Sequence, residues 1–336
     1  MATDDSLDTL DEELDEDLLD DILNRAQECE KSRQWWEYNA LRLQSIQLFA
    51  QHFGPDHRIT LDYKMNLAHN YRAQAKFREA ESVALDVVEG RRRILGDHAD
   101  TASAMNSLSI SIKAQGRVEE GLRLDEETLE MLRRVEGDEA DATHAAMQNL
   151  ANSYFNVGQY DKAAGLHQKV VDIRVQKLGK NDRETIIAMD MLARDLTALE
   201  QWDKAVQIQE EVTGLAQANF GDGDTTTISC ILNLLKTYTH LGEPAKALKL
   251  MEDALSSFRQ LGRDHTEPSA ALMKRLAIGY SEQERFEEAE PLLEEFYEWI
   301  KGVLGPDHPV TEEARVELRD NLVAQGKLVK TDIFGL

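Results

Sequence analysis

The sequence has few of the residues and motifs on which metal and catalytic sites depend. Only two of its 336 residues are cysteine, Cys29 and Cys230, and they fall at unrelated points of the sequence pattern. They therefore indicate neither a disulfide framework nor a CxxC site, and we expect both to be small core residues. The phosphate-binding pattern GxxxxGK[ST] and the hydrolase patterns HExxH and GxSxG are absent. No recognised catalytic constellation remains.

Positive charge and long apolar runs are also scarce. There are 63 acidic residues against 38 basic ones, which gives a net charge of −25. A surface of this sign disfavours duplex DNA, RNA and anionic membranes. No apolar run reaches membrane-spanning length, and the acidic N-terminus lacks the basic and apolar regions of a signal peptide. We expect a cytoplasmic protein with no cofactor, no nucleic-acid partner and no membrane partner.

What the chain does contain is a repeat. A threonine or serine recurs at intervals of 41 or 42 residues, and a leucine follows each one after seven residues. The first set is Thr60, Thr101, Thr143, Thr185, Thr227, Ser269 and Thr311, and the second is Leu67, Leu108, Leu150, Leu192, Leu234, Leu276 and Leu318. Each unit reads as two amphipathic helices separated by a turn, with the threonine or serine opening the first helix. A fixed period of this length predicts a solenoid.

The details of each unit resemble a known repeat. The clearest copies are NLANSYFNVGQYDKAAGLHQKVV from Asn149 and RLAIGYSEQERFEEAEPLLEEFY from Arg275. The loop LGPDHPVT at 304–311 has related copies in FGPDHRIT and LGDHADT. Together these segments resemble the tetratricopeptide repeat, in the long form of kinesin light chain. The usual period of that repeat is about 34 residues, and the longer unit here lengthens the second helix and the loop.

The resemblance covers roughly residues 18–326 and implies an all-α fold, a right-handed superhelix of about seven helix-turn-helix repeats. The expected repeats are 18–59, 60–100, 101–142, 143–184, 185–226, 227–268 and 269–310, followed by a capping helix at 311–326. We expect residues 1–17 to be a disordered acidic segment. Residues 327–336 form a tail that either packs on the cap or serves as a linear motif.

Residues 4–21 contain eleven Asp or Glu residues and no Lys or Arg. Leucines at 7, 10, 14 and 18 recur along this segment at helical spacing. One interpretation is a disordered tail. The resemblance implies another, because kinesin light chain uses an acidic leucine-containing segment to block its own groove. No long heptad coiled coil precedes the repeats, so we do not expect a motor subunit.

Several conspicuous residues have structural explanations. The histidines at 57, 98, 265 and 308 belong to the Asp-His pair of the inter-repeat loop, and we expect them to satisfy backbone groups at helix ends. The arginine run 91–93 reads as a solvated face at the end of a helix. Trp35 falls at the aromatic core position of the second helix, whereas the role of Trp36 stays open.

The resemblance also implies a binding surface, because the first helices of such repeats line a concave groove. The candidate peptide-binding residues are Asn66, His69, Asn149, Asn152, Asn156, Arg194, Asn233, Lys236, His240 and Arg275. Asparagine carries a donor and an acceptor and can pair with the backbone of any peptide. The cations Arg194, Lys236 and Arg275 suggest a ligand with acidic residues, or the protein's own N-terminal segment.

The expected function is that of a non-catalytic adaptor, monomeric or weakly homo-oligomeric, that holds an extended or helical peptide in the groove. Two alternatives stay open. One is an enzyme on the same frame, with Asp190, Arg194, Lys236 and His240 around a small-molecule pocket. The other is a regulator that senses a signal peptide.

Overall fold

The computed structural model describes residues 16–32, 34–262 and 266–328, and throughout these ranges the regular structure is helical. The helices are α1 (Glu16–Lys31), α2 (Trp35–Phe53), α3 (Arg58–Ala73), α4 (Phe77–Leu95), α5 (Ala99–Lys113), α6 (Val118–Val135), α7 (Asp141–Asn156), α8 (Tyr160–Leu178), α9 (Arg183–Ala198), α10 (Trp202–Phe220), α11 (Thr225–His240), α12 (Pro244–Gln260), α13 (Glu267–Glu282), α14 (Phe286–Leu304) and α15 (Pro309–Ala324). The chain forms two compact units, which divide within α8 after Val170. Odd-numbered helices are the first helices of the repeats and even-numbered helices are the second. Residues 1–15 and 329–336, with the expectations placed on them, lie outside the described residues.

The first helices begin earlier than the sequence pattern suggested. The prediction that the threonine or serine opens each helix is wrong by two residues, and α1 likewise begins at Glu16 instead of Leu18. The threonine lies in the first turn, where it is buried, and in four of the helices its hydroxyl donates to the carbonyl of the preceding loop glycine. This bond joins Thr60 to Gly54 (2.9 Å), Thr101 to Gly96 (3.0 Å), Thr143 to Gly137 (2.7 Å) and Thr311 to Gly305 (2.8 Å). In these four helices the threonine therefore fixes the loop against the helix, whereas the hydroxyls of Thr185 and Thr227 have no hydrogen-bond partner among the described residues.

Five of the first helices are capped at their start by the loop residue three positions before the threonine. In the loops with histidine, Nδ1 accepts from a backbone N–H of the first turn, which satisfies an otherwise orphaned donor. His57 accepts from Ile59 (3.4 Å), His98 from Asp100 (3.1 Å) and His308 from Val310 (3.2 Å). Asp182 and Asp224 do the same through a carboxylate oxygen, at 2.9 Å each. The predicted capping role is confirmed for these three histidines, and His265 lies outside the described residues.

Small residues let the two helices of a repeat approach closely. The residue after the repeat leucine is a buried alanine in α3, α7, α9 and α13, at Ala68, Ala151, Ala193 and Ala277. In α11 the same position is Leu235, a much larger side chain that is also buried. Correspondingly, α11 packs less closely on α12 than α9 packs on α10 or α13 on α14.

The turn between the two helices of a repeat needs a left-handed backbone. Eight residues after the repeat leucine, φ is positive at Gly116, Gly158, Gly242 and Gly326. The same conformation occurs without glycine at Ala75 (φ +57°), Glu200 (φ +58°) and Glu284 (φ +59°). Since a side chain disfavours this region, these three turns carry backbone strain.

Most of the structural expectations for single residues hold. Cys29 and Cys230 are buried free thiols. Trp35 packs against the buried cluster around Tyr38, whereas Trp36 is 85% exposed. The prediction of a solvated arginine run is wrong for Arg91, which is buried, ion-paired with Asp62 at 2.6 Å and donates to the Asp100 carbonyl at 2.7 Å.

Candidate functional site

In the first unit, the candidate residues of α3 are open to solvent. Asn66 and His69 are both exposed. Partial desolvation and the neighbouring Arg72 charge lower the pKa of His69, so its imidazole is neutral at pH 7. A neutral ring offers one donor and one acceptor to a ligand.

The asparagines of α7 do not share one environment. Asn149 is half-buried, and its side-chain amide donates to the Oδ1 atom of Asn106 at 2.8 Å. Asn152 is also half-buried. Asn156 lies at the end of the helix and is exposed, and its side chain makes no hydrogen bond to any other described residue. Of the three asparagines of α7, only Asn156 therefore has a side-chain amide with both its donor and its acceptor available to a ligand.

The second unit repeats the Asn149 arrangement at Asn233. The amide of Asn233 donates to Asp190 Oδ2 at 2.8 Å. Desolvation raises the pKa of Asp190, and the contacts to Asn233 and Arg194 counteract this only in part. Arg194 itself lies 3.6 Å from the fully buried carboxylate of Asp195. The predicted groove residues Asn233 and Arg194 thus both have structural partners.

These contacts belong to a repeated bridge between neighbouring first helices. In each pair, the first residue lies two positions before the leucine of one repeat. The second residue lies one position before the leucine of the next repeat, 43 residues further along the chain. The pairs are Asn106–Asn149, Asp190–Asn233 and Lys274–Glu317, the last at 3.3 Å. We call this series the first-helix ladder. Its existence was not predicted, although the common spacing of the three polar pairs could have revealed it.

The other candidate residues of the second unit are exposed. Lys236 and Arg275 have no ion-pair or hydrogen-bond partner among the described residues. His240 stacks on Trp202, with ring centroids 4.5 Å apart and planes at 22°. Since His240 follows Asn233 by seven residues, it lies about 10 Å along the helix from the Asp190 contact. The constellation considered for an enzyme, with Asp190 beside His240, is therefore not assembled.

A cavity of about 610 Å³ opens between α11 and α13. Its floor is apolar and comes from α12, and one rim carries charged side chains of α13. The lining residues are Leu235, Thr239, Gly242, Pro244, Ala247, Leu248, Met251, Arg275, Ile278, Gly279, Glu282 and Gln283. The volume lies in the range of pockets that hold a small ligand or a few side chains.

Two further findings concern the described ranges alone. They contain no group of three or more His, Cys, Asp or Glu side chains placed to hold a metal ion. None of their helices combines the length and the apolar composition needed to cross a bilayer.

Comparison with known proteins agrees with this architecture. The family model of the tetratricopeptide repeat matches residues 60–100, 100–174, 143–218, 184–260 and 227–298. No curated protein matches the sequence.

Several solved structures share the fold at low sequence identity. The repeats of a putative kinesin light chain from Podosopora anserina are 22% identical, with a TM-score of 0.56, covering 62% of this chain and 99% of theirs. BtubC (BKLC) from P. vanneervenii is 16% identical, with a TM-score of 0.60, covering 68% of this chain and 92% of its own. The apo form of the quorum sensor NprR from B. thuringiensis is 16% identical, with a TM-score of 0.58, covering 83% and 75%.

These likenesses concern the fold, and they confirm an all-α solenoid of the kind found in kinesin light chain-like proteins. The repeat matches, by contrast, are matches of sequence, and together they span residues 60–298. This chain belongs to the tetratricopeptide repeat family.

Proposed function

We propose that the protein is a non-catalytic adaptor that binds a peptide segment of a partner protein on the face of its first helices. The observation that carries this proposal is the set of exposed polar groups on that face without partners among the described residues: Asn156 in the first unit, and Lys236 and Arg275 in the second. Unpaired groups on a repeat surface are available to a ligand, and solenoids use such extended surfaces for binding.

Some cations outside the first helices are ion-paired. Four of them cross-link neighbouring repeats: Arg92 with Glu127, Arg117 with Glu81 (2.7 Å), Lys180 with Glu211 (2.5 Å) and Arg259 with Glu295 (2.5 Å). Lys236 and Arg275 have no such partner among the described residues, and the same is true of the exposed second-helix cations Arg78 and Lys249. What sets Lys236 and Arg275 apart is their place on the first-helix face, where an acidic ligand would supply the partner.

The ladder asparagines add a second type of contact. The side-chain amides of Asn149 and Asn233 donate to Asn106 and Asp190. The side-chain Oδ1 atoms of the same two asparagines have no partner among the described residues. An oxygen held in a fixed direction can accept a backbone N–H from a peptide of any sequence. In both units these oxygens would bind the peptide backbone, and in the second unit Lys236 and Arg275 would pair with its acidic side chains.

The acidic N-terminal segment, residues 1–17, is a candidate competitor for the same face. Its carboxylates have the chemistry that Lys236 and Arg275 would bind. We propose that it lowers the affinity for partner peptides by occupying part of this face, in a ligand-dependent equilibrium.

A peptide-display selection tests both statements. The full chain, the chain without residues 1–17 and the Lys236→Glu variant would be selected in parallel. Lys249→Glu serves as the matched control, because Lys249 is an exposed residue of α12 with the same charge change. We expect acidic peptides from the full chain, about tenfold weaker binding by Lys236→Glu, and unchanged binding by Lys249→Glu.

Failure to enrich any peptide with either the full or the truncated chain would refute the adaptor function. Equal affinities of the full and truncated chains would refute only the inhibitory role of residues 1–17.

A further inference from the structure

Two departures from the repeat pattern occur at the cavity between α11 and α13. The first is Leu235, which replaces the small residue that lets first and second helices approach. Because its side chain is larger than alanine, α11 stands further from α12, and the floor residues Ala247, Leu248 and Met251 face the cavity. An apolar floor is thus accessible from the first-helix face at this step of the repeat.

The second departure is a gap in the first-helix ladder. At the step from α11 to α13, the two ladder positions are Leu232 and Arg275. Leucine offers the guanidinium no acceptor, whereas the equivalent positions pair Asp190 with Asn233 and Lys274 with Glu317. The two helices lack the polar bridge here, and Arg275 is left at the rim of the cavity without an ion-pair partner in the described part of the chain.

Gly279 lets the backbone of α13 approach the floor of the cavity closely. A Cβ atom on Gly279 would lie 2.7 Å from Leu248 Cδ2, so this position cannot carry a side chain without a shift of the floor. The neighbouring Ile278 is partly exposed and adds to the apolar lining. The lining of the cavity is therefore apolar both at its floor and at this part of α13.

The rim of the cavity carries one positive and one negative side chain of α13. Arg275 and Glu282 lie on the same face of α13, seven residues and therefore about 10 Å apart along the axis. Like Arg275, Glu282 has no ion-pair partner among the described residues. A separation of about 10 Å equals roughly three residues of an extended peptide.

We propose that this cavity is a specificity pocket for a peptide with one large apolar side chain between an acidic and a basic residue. The apolar side chain would enter the cavity over Ala247 and Met251, the acidic residue would pair with Arg275, and the basic residue with Glu282. The proposal rests on the proposed adaptor function and specifies its ligand. Charge complementarity decides for this occupant, because a purely acidic segment would leave Glu282 facing like charge.

The test compares peptide-display selections by the full chain and three variants. Arg275→Glu and Glu282→Lys each reverse one rim charge, and Thr239→Phe places a large side chain in the cavity from the exposed end of α11. Lys249→Glu again controls for the charge change. Circular dichroism melting of each variant checks that the fold is retained.

We expect the wild-type chain to enrich peptides with a large apolar residue flanked by an acid and a base about three residues apart. Arg275→Glu should lose the acidic preference and bind the wild-type peptides at least about tenfold more weakly. Glu282→Lys should lose the basic preference, and Thr239→Phe should lose the apolar one, while Lys249→Glu keeps all three.

Two results would overturn the inference while the adaptor function survives. In one, peptides enriched by the wild type bind all three cavity variants with unchanged affinity, which places the binding site elsewhere. In the other, Lys249→Glu weakens binding as much as Arg275→Glu, which makes the attraction non-specific. If the wild type enriches no peptide at all, the inference and the adaptor function both fail.

Discussion

The substitution Ala75→Gly should stabilise the protein. Ala75 lies in the turn between α3 and α4 with φ +57°, the left-handed region. The equivalent residue is glycine in three other repeats, at Gly116, Gly158 and Gly242, and Gly326 takes the same place after the capping helix. The turn therefore has this conformation in all six repeats between residues 60 and 310, whether or not the residue suits it.

The magnitude follows from two opposing contributions. A residue with a Cβ atom costs about 1–2 kcal/mol in the left-handed region, and glycine removes this cost. Glycine also adds about 0.4–1 kcal/mol of conformational freedom to the unfolded chain. A Cβ built on Gly116, Gly158 or Gly242 meets no atom within 4 Å, so steric contacts with the surroundings do not enter the balance. We expect a net gain of roughly 0.5–1 kcal/mol in the free energy of unfolding.

Urea unfolding followed by circular dichroism measures this change. The matched control is Ala73→Gly, two residues earlier at the exposed end of α3, where glycine should destabilise the helix by up to about 1 kcal/mol. The same chemical change should thus shift the unfolding midpoint in opposite directions at the two sites. If Ala75→Gly lowers the midpoint as Ala73→Gly does, the strain argument is wrong.

Two buried or capped charges give further predictions. Lys113→Met should cost about 3–5 kcal/mol of unfolding free energy, because it removes the 2.6 Å ion pair of Asp125, whose side chain is only 2% exposed; a loss below 1 kcal/mol in urea unfolding would contradict this. Asp224→Asn keeps an acceptor at the start of α11 but removes the charge paired with Arg183 at 2.8 Å. The pKa of Asp224 is lowered to about 2, chiefly by the hydrogen bond from Arg183, against about 3.9 for an unfolded chain. The wild type should therefore be more stable by about 1 kcal/mol above pH 4, after solvent screening is allowed for, and this advantage should disappear as pH falls towards 2; a difference independent of pH would exclude the charge as its cause.

The repeat, its period and the helical class could be predicted from the sequence because they depend on residues that recur. Seven leucines at one spacing and the Asp-His loops leave little freedom in the assignment. The predicted start of each first helix was two residues too late, because the recurring threonine, such as Thr60, lies inside the first turn. The residue that caps the helix differs between repeats, for example His57 and Asp182. A variable cap is hard to recognise in a single sequence.

The candidate site was harder to predict because its residues act in pairs from different repeats. Asn149 and Asn233 read as free ligands of a peptide in the sequence, but each donates its amide to the neighbouring first helix. The sequence does carry a signal for the cavity, namely Leu235 at a position that is alanine in four other first helices. Deviations from a repeat pattern carry more information about specificity than the residues that obey it.

The ladder position of Leu232 offers a direct test of this argument. Each repeat of a solenoid contacts mainly its neighbours, so one step can be changed without disturbing the others. Leu232→Asp would place a carboxylate opposite Arg275, at the separation of 43 residues that joins Asp190 to Asn233. The new pair should occupy the guanidinium and tie α11 to α13, so we expect weaker binding of the peptides that the wild type enriches.

The matched control is Leu232→Ala, because it removes the same partly buried leucine without adding a charge. Both variants lose packing against the core of the second unit, and their unfolding free energies should fall in a similar way. Only the aspartate variant should lose affinity, by about tenfold, measured by fluorescence anisotropy with a labelled wild-type-selected peptide. If both variants bind that peptide equally well, Arg275 does not pair with the acidic residue of the peptide, and the gap in the first-helix ladder plays no part in recognition.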